Sequence, residues 1–62
     1  RVVIHEGVME VVDFKFTTRE YPAHHRQVHE YCRILHMIYP EYPIKGYLWY
    51  MDRHTVVPVK LD

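Results

Sequence analysis

At 62 residues the chain has room for one small domain at most, and a chain this short buries proportionately little of its surface. Eight basic residues cancel eight acidic ones, which excludes a bulk positive field of the kind that gathers nucleic acid without specificity. Apolar and aromatic residues make up 48% of the chain, with six Tyr and one Trp, so it reads as a segment of a longer domain whose apolar surface is normally covered, or as a self-associating homodimer when isolated.

The opening Arg1-Val2-Val3-Ile4 has no initiator Met and reads as a strand entered midway, extended to Glu6. Glu6-Gly7 supplies the permissive pair of a tight hairpin. Val8 to Phe14 returns as a second strand, with Val8, Val12 and Phe14 on one face and Met9 and Val11 on the other, so it belongs inside a sheet. Phe16 to Tyr21 is a polar connection, and Pro22 suits a first helical position. From Pro22 to about Ile38 the periodicity is helical. His24, Gln27, Val28, Tyr31, Ile34, Leu35 and Ile38 share the arc expected to face the sheet. His25, Arg26, His29, Glu30, Arg33 and His36 share the opposite, solvent arc.

Pro40 ends the helix and Pro43 keeps the link extended. Ile44 to Met51 reads as an aromatic third strand in which Gly46 allows a bend or a close approach. Asp52-Arg53-His54 turns the chain into a fourth strand, Thr55 to Lys60, and Pro58 assigns that strand to an edge because it lacks a ladder donor. The expected fold is α+β, ordered β-β-α-β-β, a mixed sheet with one helix packed on one face. The single cysteine, Cys32, is expected as a small buried helix residue and suits a reducing cytoplasm. No apolar run approaches the roughly 20 residues of a membrane span, so no membrane partner is expected.

The chemistry-bearing stretch is Glu10-Val11-Val12-Asp13-Phe14-Lys15. Side chains two apart on a strand share a face, so Asp13 and Lys15 stand together at its end while Glu10 points the other way. Mg²⁺ takes hard oxygen ligands, and Asp13 can supply one while Lys15 orients water or steadies charge on a phosphate. On the helix, Gln27 and Tyr31 lie one turn apart on a common side. Read singly, these residues also fit a strand-end salt pair, a helix-edge amide and a core aromatic with a wet hydroxyl. A rival zinc reading comes from His25, His29 and His36, spaced along the solvent arc, although exposed histidines are usually only solvated.

Val11-Val12-Asp13-Phe14-Lys15 followed by Gln27-x-x-x-Tyr31 and Ile44-Lys45-Gly46-Tyr47-Leu48-Trp49-Tyr50 resembles the late motifs of RecB-type PD-(D/E)XK nucleases, and the likeness covers nearly the whole chain. It implies part of a restriction-endonuclease-like core in which Asp13 binds metal, the main-chain carbonyl of Phe14 adds a second metal ligand, and Lys15 is catalytic. Gln27 and Tyr31 then support the site and contact DNA. Mg²⁺ or Mn²⁺ is the implied cofactor.

More narrowly, the chain is similar to the C-terminal nuclease segment of bacterial UvrD/Rep-type or AddA-like helicase-nucleases. These cytoplasmic proteins act as DNA exonucleases in repair and recombination, with helicase domains upstream that use ATP. One departure concerns a further metal-binding aspartate of that family, whose position falls at or just before Arg1. His5 and Glu6, near the hairpin, are too far along the ladder to replace it. The isolated chain is therefore expected to be inactive. The alternatives are a nuclease-like module that binds DNA or protein without cleaving, and a small dimeric interaction domain.

Overall fold

A computed structural model describes residues 1–61. Strand β1 (Val2–His5) and strand β2 (Val8–Lys15) are joined by Glu6 and Gly7, whose φ angles of 52° and 81° make the left-handed pair of a two-residue hairpin turn. A Cβ on Gly7 would meet nothing, so glycine is favoured there by its backbone angle alone. Helix α1 (Pro22–Ile38) follows, beginning at the proline suited to a first turn, and its C-cap Tyr39 donates its N–H to Leu35. Strand β3 (Ile44–Tyr50) then runs parallel to β2, and strand β4 (Thr55–Val59) returns antiparallel at the far edge. The order is β1-β2-β3-β4, with antiparallel edges around one parallel pair bridged by the helix. This is the mixed sheet with one covering helix expected from the periodicities, and Pro58 lies on an edge strand as its missing donor requires.

Several strand boundaries differ from expectation: β1 spans Val2–His5 instead of Arg1 to Glu6, and β2 runs on to Lys15 instead of ending at Phe14. Met51 does not close β3 but starts a single 3₁₀ turn (Met51–Arg53), after which His54 takes a left-handed φ of 49° to reverse the chain. Lys60 falls outside β4.

The core lies between α1 and the three strands β2, β3 and β4, where Val11, Val28, Cys32, Leu48, Tyr50 and Val59 are buried together. Its contact line is set by Gly46: a Cβ there would stand 2.7 Å from Val28 Cγ1 and 3.1 Å from Cys32 Sγ, so only glycine lets the helix backbone settle so close to β3. This approach corrects the expected helix arc. Val28 and Cys32, not Tyr31, Ile34 and Ile38, form the buried line, and the latter three remain exposed. His25 and His29, expected in solvent, are half-buried. The helix has rolled toward β3, where Gly46 leaves room for Val28 and Cys32, and Val2 and Ile4 on the short strand β1 are exposed too.

Candidate active site

On β2, Met9 and Val11 are buried beneath the helix, and the same alternation carries Asp13 and Lys15 onto that face farther along. The carboxylate of Asp13 and the ammonium of Lys15 lie 3.1 Å apart, both partly shielded from solvent. The ammonium also donates to the amide oxygen of Gln27 at 3.2 Å, so one cation joins a carboxylate on the strand to an amide on the helix. Gln27 can reach it because it sits one residue before Val28, on the flank of the buried line.

Asp13 and Gln27 line a groove of about 260 Å³ with Arg1, Val11, Val12, Val28 and Tyr31. Tyr31 forms part of its wall, half in solvent at 52% exposure, and makes no hydrogen bond to Asp13 or Gln27 among the described residues. The four side chains singled out in the sequence thus gather at one place, three through direct polar contacts and Tyr31 as a shared wall.

Phe14 turns its ring to the opposite face of the sheet, where it packs 5.5 Å from Trp49. Its backbone is placed differently. Met9 donates its N–H toward the β3 side, to Pro43, and Val12 exchanges hydrogen bonds with Arg1 on the β1 side, so alternation directs the Phe14 N–H and C=O to the β1 side as well. That carbonyl therefore emerges beside Asp13, past the last described pairing of β1. A carboxylate and a main-chain carbonyl are hard oxygen donors of the kind Mg²⁺ or Mn²⁺ takes, with water filling other positions, so the donor set fits such an ion. Among the described residues no three His, Cys, Asp or Glu side chains gather into a cluster, and the histidine stripe diverges. His25 lies 3.8 Å from Glu20, whereas His29 and His36 flank a separate groove with Cys32.

The ladder also fixes what lies across from Asp13. Arg1 pairs with Val12, so in any chain that continues this strand backwards, the residue before Arg1 stands opposite Asp13 on the same face. His5 opposes Val8 at the other end of β2, too distant to serve this site.

One neighbouring pair was not assigned a part by the sequence reading. His24 Nδ1 lies 3.0 Å from the hydroxyl of Tyr50, which is fully buried. Burial first, then the charges of Glu20 and Asp13, push this phenol above its ordinary value, with Arg53 opposing. His24 stood on the expected sheet-facing arc, but only the parallel register, which sets Tyr50 beside Lys15, reveals its partner. No protein-family model, no curated protein and no solved structure matches the chain.

Proposed function

We propose that this chain is the late part of a PD-(D/E)XK nuclease domain that hydrolyses DNA phosphodiesters with a divalent metal. The observation that carries the reading is Lys15 Nζ held jointly by Asp13 and Gln27 beside a groove that Tyr31 also lines. Asp13 and the Phe14 carbonyl would hold the ion, which when bound would neutralise charge on the scissile phosphate and make water a better nucleophile. Lys15, kept at the groove by its two partners, orients the attacking water or steadies charge as the phosphorus–oxygen bond to the leaving group breaks. Gln27 fixes Lys15, and Tyr31 presents its exposed phenol to the strand being cut. An aspartate immediately before Arg1 would complete the acidic set, since that position opposes Asp13.

The same reading makes the chain part of a cytoplasmic helicase-nuclease of DNA repair and recombination, with ATP serving only the motor. That part rests on the motif resemblance. Among the described residues, no helix is long and apolar enough to cross a membrane.

The test is Mg²⁺-dependent DNA degradation by the longer protein carrying this chain. Asp13→Ala should abolish cleavage while leaving thermal unfolding unchanged, and undiminished cleavage refutes the assignment. A second reading, a nuclease-like fold that binds DNA or protein without cutting, draws on the uncovered face of the sheet, where Trp49 is 38% exposed beside Phe14. Absence of cleavage by the unaltered protein, with an upstream residue other than aspartate, selects it.

A further inference from the structure

Helix α1 is tied to the sheet at two adjacent points, and the nuclease reading uses only one of them. Gln27 reaches Lys15 on β2, and one turn earlier His24 reaches Tyr50 on β3. Lys15 and Tyr50 are register partners on neighbouring parallel strands, roughly 4.8 Å apart by strand spacing, and both face the helix. His24 and Gln27 are three residues apart and so neighbours on one helical face. The two links are therefore side by side at both ends, like adjacent rungs.

The His24–Tyr50 rung is itself held firmly. The guanidinium of Arg53 lies 4.8 Å from the Tyr50 ring and is anchored by a 3.0 Å hydrogen bond to Glu20. The ring of Tyr21 packs edge-on against His24 at 5.2 Å. A phenylalanine at position 50 would fill the same core volume without placing a hydroxyl where water cannot reach, so the hydroxyl's contribution lies in its bond to His24. The Lys15–Gln27 bond, at 3.2 Å, is already at the long end of the hydrogen-bond range, and a shift of the helix start by roughly half an ångström would break it.

We propose that His24 and Tyr50 are positioning residues for Lys15: their bond sets the height of the first turns of α1 above the sheet, and so holds Gln27 where it can fix the lysine ammonium. The inference rests on the nuclease reading. Neither residue touches substrate in this account. They act through Gln27, which predicts an effect on turnover and none on DNA affinity.

The experiment measures kcat and KM for Mg²⁺-dependent DNA cleavage by the longer protein, unaltered and as Tyr50→Phe, His24→Ala, the double variant, His24→Asn and Asp13→Ala. Tyr50→Phe and His24→Ala should each lower kcat about tenfold with KM within about twofold, as expected when a reacting group loses its alignment. The double variant should be no worse than either single one, because the same bond is lost once. His24→Asn, which keeps a polar atom near the place of Nδ1, should restore most of kcat.

Wild-type kcat in both single variants, multiplied losses in the double variant, or equal loss in His24→Asn and His24→Ala would each overturn the inference. If Asp13→Ala abolishes cleavage in the same series, the nuclease reading survives that failure. No cleavage by the unaltered protein removes both.

Discussion

The Lys15 ammonium donates to the Gln27 amide oxygen at 3.2 Å and stands 3.1 Å from the Asp13 carboxylate, so this cation beside the groove is held from strand and helix together. In the nuclease account this cation acts on the transition state more than on the metal. Lys15→Ala should lower single-turnover cleavage by the longer protein about 10²–10³-fold, while the Mg²⁺ concentration giving half-maximal rate moves little. Turnover equal to the unaltered protein, or a loss recovered fully by raising Mg²⁺, would count against that role.

Gly46 should resist even the smallest side chain. The added Cβ of Gly46→Ala would press on Val28 Cγ1 at 2.7 Å and Cys32 Sγ at 3.1 Å, and both belong to the buried line, so neither can swing into solvent. Urea unfolding should show a loss of about 1–3 kcal/mol, the usual cost of overpacking, and adding Val28→Ala should return part of it. Unchanged stability in Gly46→Ala would mean that the helix does not sit as close to β3 as described.

Stability should fall on the alkaline side. Burial pushes the Cys32 thiol above its ordinary value of 9.0, and burial with the charges of Glu20 and Asp13 pushes the Tyr50 phenol above 10.0. Both groups hold their protons longer when folded, so the unfolded chain releases protons first and the fold loses stability as pH rises. The contribution is fully present below the unfolded values and is lost first through Cys32, then through Tyr50. Urea midpoints from about pH 7 to 11 should be level and then decline, and Cys32→Ala should delay the onset toward the tyrosine range. A midpoint that rises above the thiol range contradicts this assignment.

Much of the architecture was legible from local patterns. Alternation in Val8–Lys15 placed Asp13 and Lys15 on one face, Glu6-Gly7 marked the hairpin, Pro22 the helix start and Pro58 an edge strand. What was not legible depended on pairings distant in the chain. Cys32 is buried as expected, but the roll of α1 that leaves Ile34 and Ile38 exposed follows from the hollow above Gly46, and helical periodicity treats all apolar residues alike. The partnership of His24 with Tyr50 required the β2–β3 register, which no local pattern contains. The same register brings Tyr50 beside Lys15, so the part of the site that escaped the sequence is the part built from the parallel pair.

The most direct measurement of the central claim is the location of a manganese ion, by its anomalous scattering, in crystals of the longer protein. The account predicts an ion bound by the Asp13 carboxylate and the Phe14 main-chain oxygen, at the groove shared with Gln27 and Tyr31. An ion bound away from this groove in a protein that cleaves DNA, with Asp13 engaged only by Lys15, would contradict it.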